Sequence, residues 1–106
     1  MALTVLITRD VEDRYRGFLA SALLELAPGV YASPVLSARA REKIWGVLTD
    51  WHAHLGSGSI VLLYPDRQAD GGMVVRSLGQ PPRQPVRIDG VLLTLRGNPQ
   101  VRKSAL

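Results

Sequence analysis

The chain has no cysteine in its 106 residues, which excludes disulfide scaffolds, thiolate zinc sites, iron–sulfur ligation and cysteine nucleophiles. Nothing points to an oxidising compartment, so a cytoplasmic protein is the expectation. Long apolar runs are missing as well. The longest, Phe18 to Leu24, falls far short of the roughly 20 residues that a membrane helix needs, and no membrane segment is expected. The opening Met-Ala-Leu-Thr-Val-Leu-Ile-Thr lacks the basic start and small-residue cleavage site of a signal peptide and reads as a first strand. There is no GxGxxG, Walker loop, Gly-x-Ser-x-Gly, HExxH or internal repeat, so conventional cofactor chemistry has no foothold. Lysine is scarce too: of 13 basic residues only Lys43 and Lys103 are lysines, and the rest are arginines.

What is present is one domain's worth of ordinary globular chain, 46% hydrophobic against 21% charged. The net charge is +4. Residues 1 to 56 balance six basic groups against six acidic, whereas 57 to 106 carry seven against three, so the whole excess lies in the second half. Arginine suits phosphate because its planar guanidinium donates two hydrogen bonds at once, although a GC-rich genome would also favour arginine codons. A basic domain carries the electrostatic footprint of a nucleic-acid binder, but this charge is too moderate to identify the ligand.

Leu3 to Thr8 is aliphatic and β-branched, a strand central in a sheet. From Val11 the period changes. Val11, Tyr15, Phe18, Leu19, Ala22, Leu23 and Leu26 form one helical stripe, with Asp10 at its N-cap and Pro28-Gly29 at its end. Val30-Tyr31-Ala32 is a short extended piece before Pro34. A second helix follows, capped by Ser37, burying Ala40, Ile44, Val47, Leu48, Trp51 and Leu55 and stopping at Gly56-Ser57-Gly58. Ser59 to Tyr64 and Met73 to Leu78 read as antiparallel strands around a Pro-Asp-Arg-Gln-Ala-Asp-Gly-Gly turn. Residues 80–85 are a stiff proline-rich connector, 86–96 a last strand that must find a sheet edge, and 97–106 a basic tail outside the domain of residues 1–96. This order, βαβαβββ, predicts an α+β, ferredoxin-like domain: a mostly antiparallel sheet with two helices on one face. A last strand exchanged between subunits would give a symmetric homodimer.

Several strings then carry a resemblance. Leu6-Ile7-Thr8-Arg9-Asp10-Val11 with Arg14-Tyr15-Arg16-Gly17, Leu23-Leu24-Glu25 leading to Pro28-Gly29-Val30-Tyr31, Ser37-Ala38-Arg39-Ala40-Arg41-Glu42 with Ile44-Trp45, and Pro85-Val86 to Asp89-Gly90-Val91 together resemble the small CRISPR-associated adaptation proteins of the Cas-two family, in its type I-E branch. The resemblance runs from about residue 3 to residue 95. It implies a ferredoxin-like homodimer bridging the CRISPR integrase and holding a duplex prespacer, a scaffold more than a catalyst. It implies that Arg14 and Arg16, and Arg39 and Arg41, meet the double-stranded DNA backbone, with Arg83 and Arg87 approximately where further arginines stand. The C-terminal strand and tail are implied to dock on the integrase.

Each position also has a plainer explanation. Arg14 and Arg16 flank the apolar stripe and could pair with Glu12 and Asp13 on a solvated face; Glu42 could pair with Arg39 and Arg41. Gly17 costs about 1 kcal/mol of helix propensity, which packing, a partner helix or a nucleic-acid strand could explain; packing is the expectation. Asp10 is the one candidate catalytic and metal-binding residue: relatives with nuclease activity resemble a pattern with an aspartate at the end of strand one, which could share Mg²⁺ with its mate across a dimer axis. Here the acid comes later and follows Arg9, and capping alone would account for it. His52 and His54 are two apart on a helix and point away from each other, a surface helix end rather than a metal pair. Trp45, Trp51, Tyr31 and Tyr64 are read as core and dimer packing. Three functions stay open: a DNA-binding scaffold needing no cofactor, a Mg²⁺-dependent endonuclease built on Asp10, and a ferredoxin-like protein-interaction module.

Overall fold

In β1 (Ala2–Arg9) successive side chains face opposite ways: Thr4 and Leu6 are buried, whereas Leu3 and Ile7 are 50% and 40% exposed. That alternation is repeated in β4 (Ser59–Pro65), where Ile60, Leu62 and Tyr64 are buried and Val61 and Leu63 only partly so. The computed structural model describes residues 2–81, 83 and 85–94. Its main sheet has the order β2-β3-β1-β4-β5, with β2 Leu24–Ala27, β3 Val30–Leu36 and β5 Met73–Leu78, and all its pairings are antiparallel. Helices α1 (Asp13–Ala22) and α2 (Ala38–Leu55) close one side of it. The core lies between: Tyr15 and Leu19 from α1, Trp45 and Leu48 from α2, and Leu6, Tyr31, Ile60, Leu62 and Tyr64 from the sheet. This is the α+β, ferredoxin-like arrangement, with β5 added at one edge.

The second helix follows its sequence signals closely. The Ser37 hydroxyl accepts from the Ala40 amide at 3.1 Å, and Gly56 caps the far end in the left-handed region at φ 68°. The first helix does not. Asp10 is no cap: it stands in a left-handed turn at φ 57°, and the N-cap is Glu12, whose side chain makes no capping bond. Aspartate tolerates that conformation better than most residues, and the turn lets the chain leave β1 before the helix begins. Nor does α1 reach Pro28. It ends at Ala22, and Leu24–Ala27 forms an edge strand that turns through Pro28-Gly29 into β3, with Gly29 at φ 80°. Leu26, read as part of the helical stripe, is 65% exposed on that edge. A Pro-Gly pair is the composition of a tight turn, and the extra strand turns βαβ into βαββ. β3 also continues through Pro34 to Leu36, longer than the short piece expected.

The last apolar stretch is a hairpin rather than one strand. β6 (Pro85–Ile88) and β7 (Val91–Thr94) pair with each other about Asp89 and Gly90, at φ 52° and 79°. Two consecutive left-handed residues make the tight turn that matches strand twist, and Asp-Gly is a preferred pair for it. Among the described residues this hairpin joins no edge of the main sheet; Leu92 lies over Gly71 of the short 3-10 turn Asp70–Gly72. Residues 95 and 96 of the expected last strand, and the tail 97–106, lie outside the described residues.

One close approach ties β1 to β4. At Gly58, φ 78°, a Cβ would stand 2.6 Å from the carbonyl oxygen of Asp10, inside van der Waals contact, whereas at Gly56 it would meet open space. Gly58→Ala therefore combines a left-handed strain with a backbone collision and should cost about 2–4 kcal/mol, while Gly56→Ala should cost about 1. Urea denaturation of both variants measures this; equal losses would mean that the collision is relieved by a backbone shift.

Candidate nucleic-acid interface

Because β1 and β3 run antiparallel, the helices that follow them start at opposite ends of the sheet. The two arginine pairs are thereby separated. Arg14 sits with its guanidinium 5.4 Å from the ring centre of Trp51, near the end of α2, whereas Arg39 and Arg41 occupy the first turns of α2. At 1.5 Å per residue the 12 residues from Arg39 to Trp51 span about 18 Å. The helix layer thus has a positive site at each end rather than one cluster.

At the first site, Trp51 is braced edge-on by Tyr15 and Phe18, with ring centres 5.4 and 5.3 Å away. It is core packing that also offers a ring to Arg14, an attraction worth about 0.5–1 kcal/mol at an exposed position. Arg16 lies 3.8 Å from Asp13, the i,i+3 pairing expected of a solvated helix face. With the Asp13 side chain 99% exposed, that pair is weak and leaves Arg16 available. Arg16 also lines a groove with Thr8, Asp10, Val11, Pro28 and Gly29, and an adjoining one with Glu25 and Leu26. Beneath this end the hydroxyls of Tyr15 and Tyr31 are buried with no partner at full hydrogen-bonding distance, Tyr31 facing Glu25 and Arg16, and burial pushes both phenols upward in pKa.

The second site is a network. The Arg41 guanidinium stacks 3.6 Å from the ring centre of Tyr64 and donates through Nε to Glu42 Oε2 at 3.0 Å; its side chain is only 17% exposed. From β5, Arg76 Nη1 donates to both oxygens of Glu42, at 2.7 and 2.8 Å, and its guanidinium lies 5.2 Å from the ring centre of Trp45. The hydrogen bond from Arg76, then that from Arg41, hold the Glu42 carboxyl below the usual glutamate range against the opposing effect of burial. Arg39, by contrast, is exposed.

Arg76 escaped the sequence reading, although a signal existed. It occupies the inward phase of β5, opposite the buried Leu62 and between Val74 and Leu78, and a charge in an apolar phase must find partners. Arg83, on the connector, lines a groove with Val61, Val75, Ser77, Gln80 and Pro81; Arg87 is exposed on β6. Neither belongs to the helix-layer sites. Gly17 is exposed and a Cβ there would meet nothing within 4 Å, so packing within the chain does not account for it.

Asp10 is exposed in the Arg16 groove, and no group of three or more His, Asp or Glu that could hold a metal occurs among the described residues. Asp10 is one carboxylate in that groove, so a Mg²⁺ ion bound through two would need a second from outside it. His52 Nε2 lies 3.3 Å from the Gly58 carbonyl and His54 Nδ1 2.8 Å from that of Asp50, so the two imidazoles serve separate backbone contacts.

Residues 3–93 match the family model described as CRISPR-associated protein (Cas_Cas2CT1978). The chain belongs to this family. Membership in a Cas2-type CRISPR-associated family supports a role in CRISPR adaptation. No helix among the described residues is long and apolar enough to cross a membrane.

The network makes a pH prediction. A carboxyl whose folded-state pKa is depressed stabilises fully above its ordinary value, about 4.5 for glutamate, and loses that contribution as pH falls through the lower folded value. Glu42→Gln should flatten the acid limb of thermal stability below about pH 4.5. The effect should be modest, because the Glu42 side chain is 48% exposed. Melting curves of both proteins between pH 3 and 7 measure it, and parallel acid limbs would remove Glu42 from the account.

Proposed function

We propose that the protein is the DNA-binding scaffold of a spacer-integration complex, of the type I-E branch, acting in the cytoplasm as a homodimer and needing no cofactor. Arg14, Arg16 and Arg39 would lie along the phosphate backbone of a duplex prespacer, with Arg83 and Arg87 as outlying contacts. Arg41, stacked on Tyr64 and bound to Glu42, anchors the start of α2 beside Arg39. The observation that carries this reading is the pair of exposed arginine sites about 18 Å apart, a spacing equal to about five base pairs of duplex at 3.4 Å each. Contacts of that kind position a duplex without reading its sequence.

The dimer reading is supported by the side of the sheet that the helices leave bare. There Val5 lies between Leu63 and Ala32, Ile7 between Val61 and Val30, and Leu63 beside Val75. This patch is apolar, with Arg83 at its β4–β5 flank beside Val61 and Val75, and a second copy under a twofold axis is the occupant we assign to it. The hairpin β6–β7 exposes Ile88, Val91, Leu92 and Leu93 by 43–55% and is assigned to the larger integrase subunit. Isolated two-stranded hairpins are marginal, so a partner surface would also steady it.

A gel shift on a short labelled duplex tests the DNA reading, run with Mg²⁺ and with EDTA. Wild type should bind in both buffers and leave the duplex intact. If the three exposed arginines act in both subunits, about six phosphates are neutralised, and affinity should fall about a thousandfold between about 50 and 200 mM salt. Arg14→Glu with Arg16→Glu should abolish the shift at moderate salt. Unchanged binding by that double variant would remove α1 from the interface. Cleavage seen only with Mg²⁺ and lost in Asp10→Ala would make the protein an endonuclease instead.

A further inference from the structure

The two arginine sites leave the middle of the helix layer unassigned. On α2 the positions Arg39, Lys43, Gly46 and Asp50, at intervals of four, three and four, share one outward stripe, and all four are exposed. Glu42 adds no negative charge to that stripe, because its carboxylate is turned to Arg76 and Arg41 on the β5 side. Lys43 makes no salt bridge within the described residues. Gly46 sits in the middle of an 18-residue helix, where a glycine is unfavourable, and a Cβ there would meet nothing within 4 Å. Its lack of a side chain answers no need inside the chain. The same holds for Gly17, which follows Arg14 by three residues on α1 as Gly46 follows Lys43 on α2.

Resting on the DNA reading above, we propose that the outward stripe of α2 is the track by which one strand of the duplex passes between the two arginine sites. Lys43 is a further phosphate contact on it, and Gly46 is the point where the sugar-phosphate backbone lies closest to the helix. Arg39 and Lys43 are four residues apart, about 6 Å along the helix, about the separation of neighbouring phosphates on one strand. Beyond Lys43 the bare surface at Gly46 keeps the helix from pushing the strand away before it reaches Arg14 over Trp51. Asp50 closes the stripe at that end, so the attraction is confined to the Arg39–Lys43 half and to Arg14.

Lys43→Gln, Gly46→Ala and Gly46→Leu, each with thermal melting, duplex affinity and salt dependence, test this. Both Gly46 variants remove a helix-breaking residue and should raise Tm by a few degrees. Their duplex affinity should nevertheless fall, Leu more than Ala, as bulk is added to the track. Lys43→Gln should reduce the slope of log affinity against log salt by about one for each subunit engaged. Gly46 variants that are more stable and bind as tightly as wild type, with an unchanged slope for Lys43→Gln, would overturn the track while leaving the arginine sites standing. A wild-type protein that binds no duplex at low salt would overturn the DNA reading, and the track with it.

Discussion

Helices α1 and α2 cover one side of a five-stranded sheet, and on the other the connector residues Gln80, Pro81 and Arg83 lie at the β4–β5 flank beside Val61, Val75 and Ser77. The chain's apolar material is therefore divided. The covered side takes the large side chains that can be buried completely, Tyr15, Tyr31, Leu6, Leu19, Leu48, Ile60 and Leu62, all under 2% exposed. The bare side is left with aliphatics that are only half-buried, Val5, Val61 and Leu63 among them, held in cross-strand contact but open to one flank. Arg83 stands at its β4–β5 flank, and charges of both signs appear on the outer surface of the helices. An apolar face and a face with exposed arginines on opposite sides of one domain would let it assemble with a like copy while keeping its arginines free.

Placing those arginines falls to aromatic rings more than to ion pairs. Trp51 is wedged between Tyr15 and Phe18 and presents a ring to Arg14, while Tyr64 and Trp45 do the same for Arg41 and Arg76. A stacked guanidinium keeps its charge and most of its donors, so it can hold position and still meet an anion. Glu42 works differently. By taking hydrogen bonds from Arg41 and Arg76 it uses up one negative charge at the edge of the sheet, and Arg39 and Lys43 keep theirs uncompensated on the outer stripe.

Much of this was legible from the residues. The Ser37 cap, the Gly56 stop, the antiparallel pairing of β4 with β5, and the ferredoxin-like class all rest on strong local signals, namely a hydroxyl before a helical stripe, glycine after it, and apolar runs at strand length. Where the reading failed, a weaker signal had competed with a stronger one. Leu26, read into the helical stripe, fits a strand as well, and only the pairing of Leu24–Ala27 with β3 decides for β2. Asp10 has the residue type of a cap, yet it stands in a left-handed turn with its carbonyl close to Gly58, and Glu12 is the N-cap. That Arg14 and Arg39 stand at opposite ends of α2 follows from the antiparallel course of β1 and β3, which no local pattern shows. The partners of Arg76 lie 12 and 34 residues away in sequence, Tyr64 beneath Arg41 and Glu42 beyond it, so no local pattern could reveal them.

The central claim is that the bare sheet face is closed by a second copy of the chain. Light scattering on wild type and on Ile7→Asp, at matched micromolar concentration, tests it most directly. Ile7 is 40% exposed, so a folded single chain can keep an aspartate there at the surface, whereas a face-to-face pair would have to bury it unpaired. The account predicts twice the chain mass for wild type, and for Ile7→Asp the mass of one chain with the secondary structure retained. A wild-type mass equal to one chain, or a dimer that survives the aspartate unchanged, would contradict it.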